Sequence, residues 1–354
     1  MKNMTRIEKF REAFADKADA ALITCPLNCR YLSGVDYTDG FLLITKENAY
    51  LFADSRYIEV AKRDAFADFE VMLLSGRRSS LIKVLLKEGS VIGYEDNIMT
   101  CAELSSYKEA MPQYKFAPTG EVTEKLRNVK DTFEKESIIK AQRIAEAAFE
   151  HVLGILTPEI TERQVALELD YFMRKNGSEG LAFDTIAVSG ANSSLPHGVP
   201  TDKKLGYGFL TMDFGARANG YCSDMTRTVC IGKPDAEMER LYNTVLLAQC
   251  KALDVIRAGI KCSDADKVAR EIIDGSGYKG LFGHSLGHGV GLYIHEDIHV
   301  SPRSEQVLEK GNVVTVEPGI YVEGKYGVRI EDMVYVTENG CENLTRSEKK
   351  LIVV

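Results

Sequence analysis

Two aspartates, Asp213 and Asp224, lie in the segment FLTMDFGARANGYCSDMTRTVCI, whose pattern predicts two strands around a turn containing Asn219-Gly220. Side chains alternate faces along a strand. A two-residue loop at 218–219 would pair the aspartates directly, and a loop at Asn219-Gly220 would make them diagonal neighbours. Either register puts both carboxylates on one face, with Leu210, Met212, Phe214 and Met225 close by in the chain. Like charges roughly 5–8 Å apart on a half-buried sheet repel. They need a cation, a shared proton or solvent, and two solvated strand-end aspartates remain the ordinary alternative for this segment alone.

A second segment, GHSLGHGVGLYIHE, has Gly or Ser at 283, 285, 287, 289 and 291 and His, Leu, His, Val and Leu between them. Period two with one nearly bare face predicts a strand whose glycine side is approached by another backbone or a ligand. His284 and His288 share its other face. Their four-residue spacing would also suit a helix, but so many small residues argue against one. Four of the six histidines fall at 284, 288, 295 and 299. Imidazole binds metals and carries protons near neutral pH, so the clustering suggests chemistry. His151, isolated on an expected helix, is read as structural.

Two glutamates complete the set. NVVTVEPGIY reads as a β-branched strand ending at Glu317 and stopped by Pro318-Gly319. YGVRIEDMVYVT reads as another, with Glu331 mid-strand on the face of Arg329, Met333 and Tyr335. Ionised glutamate is seldom buried without a partner. A surface Arg329–Glu331 pair on an edge strand is the ordinary alternative.

The chain that must position these groups has 354 residues, which predicts two domains, and its 45% apolar content suffices for sizeable cores. A formal charge of -8 argues against nucleic acid or anionic membrane as partner. No stretch approaches the roughly 20 apolar residues needed to span a bilayer. The charged N-terminus does not read as a secretory signal. The eight scattered cysteines therefore read as reduced thiols of a cytoplasmic protein, Cys25 and Cys29 included.

Residues 1–125 alternate helical and strand patterns and predict an α/β domain. Helices are expected at 5–16, 57–67 and 79–88. Strands are expected at 20–24, 69–74 and 90–94, with a hairpin of 40–45 and 49–53. Asp54–Tyr57, DSRY, reads as a turn between strand and helix. The charge-rich stretch 121–131 is expected to be a linker. Asp131 with Glu134 forms a capping-box pattern opening a long helix, with Ile138, Ala145, Ala148 and Val152 on one face. In residues 126–354 strands dominate from about 183, with helices near 235–258 and 263–275, an α+β pattern.

Taken in order, MDFGARANGYCSDMTRT, GHSLGHGVGLYIHE, VVTVEPGIY and VRIEDMVYV resemble the motifs of the pita-bread metallopeptidases. FDTIAVSGANSSLPHG is similar to the upstream histidine motif of their proline-specific branch, Xaa-Pro dipeptidase (prolidase) and aminopeptidase P. NCRYLSG, FADSRY and LRNVKDTFEKESIIKAQRIA extend the resemblance to the branch's N-terminal domain and domain junction. HEDIHV departs from it, since many members have proline soon after that His-Glu pair, which puts the pocket's shape in question.

The resemblance implies a creatinase/prolidase-type α/β domain over 1–125, serving substrate closure and dimer contacts, and a pita-bread α+β catalytic domain over 126–354. It implies Asp213, Asp224, His288, Glu317 and Glu331 as ligands of two divalent ions, Mn(II) first, with Co(II) or Zn(II) as alternatives. Asp224 and Glu331 take the bridging positions. It implies His197, His284 and His295 as histidines that either support the metal ligands or contact substrate, Arg329 as an arginine beside the bridging glutamate, and Glu317 as proton shuttle. Four carboxylates and one neutral imidazole match the charge of two dications, and without metal several carboxylates should hold protons. The implied activity is cleavage of the bond between an N-terminal residue and proline, in a dipeptide or longer peptide, by a homodimer. A metal-free creatinase-like hydrolase and a non-enzymatic peptidase-like binding protein are the alternatives, and a full ligand set argues against both.

Overall fold

In the computed structural model, which describes residues 4–354, the chain divides into two units, the first ending at Arg127 and the second starting at Asn128. In the first, six strands form a mixed sheet in the order Phe69–Leu73, Ala49–Ala53, Gly40–Thr45, Ala20–Ile23, Val91–Tyr94 and Lys115–Pro118. The hairpin pairs Gly40 with Ala53 through Ile44 with Ala49, as the alternating apolar pattern on either side of 46–48 predicts. Asp54 turns the chain into the helix Ile58–Asp64, its Oδ1 accepting from the Arg56 amide at 2.8 Å.

The stretch 121–131, expected as a linker, contains the boundary between the two units but is largely helical. Val122–Asn128 is a helix, with Val122, Thr123 and Arg127 buried. Arg127 is held by a 2.7 Å bond from its Nη1 to Asn28 Oδ1, so a buried polar anchor adds to the apolar contact of Val122 in holding the helix. Charge-rich composition concealed this, because hydrophobic periodicity cannot report a buried polar anchor.

The second unit opens on the long helix Thr132–Leu153, with the capping box at Asp131 and Glu134 formed in both directions. Its apolar stripe and that of Glu162–Lys175 pack against the antiparallel sheet Ile186–Ser189, Gly208–Phe214 and Met225–Ile231. A second pair, Ala236–Val255 and Cys262–Ile273, packs on another core. That core includes residues of a five-stranded antiparallel sheet, ordered Glu296–Val300, Gly287–Gly289, Val313–Val316, Asp332–Val336 and Cys341–Asn343. Of the chemically capable residues, Asp224 and Glu331 sit in breaks between strands and Glu317 follows a strand end, while Asp213 and His288 lie within strands.

No described helix is long and apolar enough to cross a membrane. All eight cysteines are free, with Cys25 and Cys29 buried and their thiols pushed above the ordinary value, first by burial.

Candidate metal centre

The aspartate hairpin closes at Asn219-Gly220, where φ is 51° and 81°, the doubly left-handed conformation of a tight type I′ turn. Ala218 pairs with Tyr221, and the same register continues to Phe214–Met225 and Asp213–Thr226. The aspartates are therefore diagonal neighbours on one face. Between the two ladders the strands part at Gly215, where a Cβ would come within 1.9 Å of the Ser223 carbonyl oxygen. Asp224 lies in this interruption and is buried.

The histidine segment is a strand only over Gly287–Gly289. Its glycine face is closely approached, as expected: a Cβ on Gly287 would stand 2.0 Å from the Thr315 carbonyl oxygen. His284 precedes the strand in irregular backbone, so the extended period-two reading holds for His288 and fails four residues earlier. Glu317 follows the strand Val313–Val316 directly. Glu331 is not mid-strand. It sits in the break between Tyr326–Arg329 and Asp332–Val336, fully buried, with its amide donating to the Thr226 carbonyl at 3.1 Å.

These breaks converge. Asp224, His288 and Glu331 each offer a ligand atom within 4.8 Å of the others. His288 Nε2 is 3.5 Å from both Asp224 Oδ2 and Glu317 Oε1. Its Nδ1 lies 3.1 Å from the Gly289 carbonyl oxygen, which can only accept. The proton therefore belongs on Nδ1, and the Nε2 lone pair points at two carboxylates. Burial, ahead of its neighbours' charges, lowers the ring's pKa to about 4, so it is neutral near pH 7. A lone pair facing acceptors is a favourable arrangement only with a cation or a proton between them.

The carboxylates agree. Burial first, then Glu331 and Asp213, pushes Asp224 well above its ordinary value. Burial first, then Glu317 and Asp213, does the same to Glu331, and burial takes Glu317 up to about 8. Asp213 Oδ1 and Glu331 Oε1 are buried without a hydrogen-bond partner among the described residues. Orphaned buried acceptors of this kind signal a missing cation or proton donor. The set of carboxylate oxygens with one imidazole suits a borderline-to-hard divalent ion, so the residues present fit a metal.

Arg329 does not form the surface pair with Glu331 that the sequence left open. It is buried and donates from Nη2 to Asp213 Oδ2 at 2.5 Å. Its Nε donates to Thr226 Oγ1 at 3.1 Å, and that hydroxyl donates to Glu331 Oε2 at 2.7 Å. Nη1 donates to Tyr321 Oη at 2.8 Å, and Tyr321 in turn meets His284 Nε2 at 2.8 Å. His284 Nδ1 lies 2.8 Å from the Ser285 carbonyl oxygen, so both ring nitrogens are engaged. Tyr321 and Thr226 were missed in the sequence reading. The period-two pattern shared with Asp224 could have flagged Thr226, but nothing local flags Tyr321.

A cavity of about 490 Å³ opens onto these groups and includes His197, His284, His288, His295 and His299 in its lining. Phe183, Ile186, Val199 and Ile294 supply apolar wall. The His295 ring stands against His288 with centroids 4.5 Å apart. His197 and His295 are exposed, whereas the carboxylates that line the same cavity are buried or half-buried.

A buried carboxylate cluster around one neutral imidazole, at the floor of a peptide-sized cleft between helix-backed sheets, defines a metal-dependent hydrolase of the pita-bread class. Comparison with known proteins agrees: residues 136–338 match metallopeptidase family M24, and residues 6–129 match the creatinase/prolidase N-terminal domain. The chain belongs to metallopeptidase family M24. It is 37% identical over 350 residues to the Xaa-Pro dipeptidase of Pyrococcus furiosus, covering 98% of this chain and 99% of that one. The solved Xaa-Pro dipeptidase from Bacillus anthracis superposes with a TM-score of 0.94 at 42% identity, over 98% of this chain and 99% of the other. An X-Pro aminopeptidase from Thermotoga maritima gives 0.91 at 38% identity, over 98% and 100%.

Proposed function

We propose that this enzyme hydrolyses the bond between an N-terminal residue and proline, in Xaa-Pro dipeptides or in longer peptides that begin Xaa-Pro. The observation that carries the reading is the pair of orphaned carboxylate oxygens, on Asp213 and Glu331, beside the lone pair of a neutral His288. Asp213, Asp224, His288, Glu317 and Glu331 would hold two divalent ions, with Mn(II) preferred over Co(II) or Zn(II). Such ions supply Lewis acidity, polarising the scissile carbonyl and acidifying water near neutral pH.

The chain's own residues do the rest. A bond to proline is a tertiary amide, so there is no amide N–H to grip, yet its nitrogen must be protonated as it leaves. Glu317, on the cavity lining beside His288, is the group assigned to carry that proton. His295 and His197, which line the cavity, would donate to the carbonyl oxygen as charge develops there. His284, with both nitrogens engaged, acts by orienting Tyr321 and through it Arg329. Arg329 then fixes Asp213 directly and Glu331 through Thr226. Apolar residues Phe183, Ile186 and Ile294 suit the substrate's uncharged side chains.

The reading extends to a homodimer, with dimer contacts and substrate closure drawn from the first 125 residues. It also extends to a cytoplasmic site of action, for which eight free cysteines speak. The test compares hydrolysis of Xaa-Pro and Xaa-Pro-Yaa peptides after chelation and after reloading with Mn(II), Co(II) or Zn(II). Release of the first residue, dependent on added metal, is expected. No release from either peptide after reloading would overturn the reading.

A further inference from the structure

Behind the carboxylates lies a second charged cluster that the chemistry above does not use. Arg227 is 1% exposed, and each of its donors is directed. Nη1 donates to the carbonyls of Thr226 at 2.9 Å and Glu331 at 2.5 Å. Nη2 donates to Asp332 Oδ1 at 2.9 Å and the Ser347 carbonyl at 2.8 Å, and Nε to the Glu348 carbonyl at 2.9 Å. Asp332, with no exposure, is held on its other oxygen by Gln249 at 2.9 Å, Asn343 at 2.7 Å and Lys349 at 2.8 Å.

The placement is specific. Thr226 and Glu331 are the two residues whose side chains bond to each other at the centre, and Arg227 grips the main-chain carbonyl of each from behind. Glu331 needs such a grip because it lies in a strand break, outside the ladder that holds Asp332–Val336. The far side of Arg227 is anchored by the chain's last residues, through Ser347 and Glu348, while Lys349 braces Asp332. A buried ion pair is weak evidence for stability as such, since apolar replacements often serve as well. Its location on the backbone of a metal-site residue is what calls for a role.

We propose that Arg227 is a positioning residue for the metal centre, clamping the Glu331 peptide, with Asp332 and residues 347–349 as its anchor. The proposal rests on the reading that Glu331 is a ligand. Arg227→Lys keeps a cation beside Asp332 but cannot reach both carbonyls and the tail at once. Mn(II) affinity is measured by calorimetry on folded protein well below its melting temperature, with kcat and KM on an Xaa-Pro substrate and thermal unfolding alongside. Expected is a loss of affinity on the order of 10- to 100-fold, the scale of outer-sphere partners of metal ligands, with kcat falling more than KM changes. A purely structural role would lower the melting temperature and leave affinity unchanged in the folded variant. That outcome overturns the proposal. Should Arg227→Lys not fold, the near-isosteric Asp332→Asn carries the same test, a smaller loss of affinity supporting the clamp and an unchanged one refuting it. Glu331→Ala serves as control: if Mn(II) affinity survives that change, the ligand reading fails, whereas loss there with parental affinity in the Arg227 variant sinks the clamp alone.

Discussion

Stripping the metal should make this protein less stable as pH rises from 6.5 to 8. The cause is Glu317, whose carboxyl is held at about 8 by burial against an ordinary 4.5. The folded state then keeps a proton that the unfolded chain gives up, so its contribution is full below the ordinary value and is lost as pH climbs toward the folded one. The whole displacement corresponds to about 5 kcal/mol at roughly 1.36 kcal/mol per pH unit. The neutral rings of His284 and His288, lowered to about 4 from 6.5, act oppositely. They destabilise the fold as pH drops through 6.5, and because the unfolded rings are still half protonated there, they offset part of the carboxyl slope up to about pH 7.5. Between pH 6.5 and 8 Glu317 alone accounts for roughly 1–2 kcal/mol, and the raised carboxyls of Asp224 and Glu331 add to the same slope. Denaturant unfolding of chelated protein at several pH values reads this directly. Glu317→Gln should remove roughly 1–2 kcal/mol of the change, and bound Mn(II), which demands ionised ligands, should flatten it while releasing protons. Chelated protein whose stability is level or rises from pH 6.5 to 8, or a Gln variant with the parental slope, would refute the reasoning.

Three further outcomes are expected. Thr226→Val removes the hydroxyl between Arg329 Nε and Glu331 Oε2, leaving buried polar groups unpaired; it should lower stability by about 1–3 kcal/mol in thermal unfolding and weaken Mn(II) binding. Tyr321→Phe removes the link between Arg329 Nη1 and His284 Nε2, with a similar loss of about 1–3 kcal/mol and a fall in kcat on Xaa-Pro substrates. Gly287→Ala places a methyl 2.0 Å from the Thr315 carbonyl; overpacking of about 1–3 kcal/mol or more should appear as a lower melting temperature, together with reduced metal content per chain.

Much of the centre was legible because its signals are local. The Asn219-Gly220 turn needs two positive φ values, and the dipeptide that tolerates them marks the hairpin's register. The Asp131–Glu134 capping box announces a helix start within four residues of chain. Alternating glycines beside His288 announce a close backbone approach, which Thr315 makes. Each pattern is written in neighbouring residues, so no knowledge of packing is required to read it.

The sequence by itself thus determined which residues could ligate metal, the shared face of Asp213 and Asp224, and the helices that back the sheets. Tertiary structure alone decided that Arg329 pairs with Asp213 rather than Glu331, that His284 is spent on Tyr321, and that 122–128 is a half-buried helix. It also decided that Glu331 falls in a strand break clasped by Arg227 from more than 100 positions away, as far as sequence separation is concerned. The physical reason is common to all four. A buried polar group takes whichever partner satisfies its geometry, and that partner is chosen by how strands far apart in the chain stack, not by periodicity within any one of them.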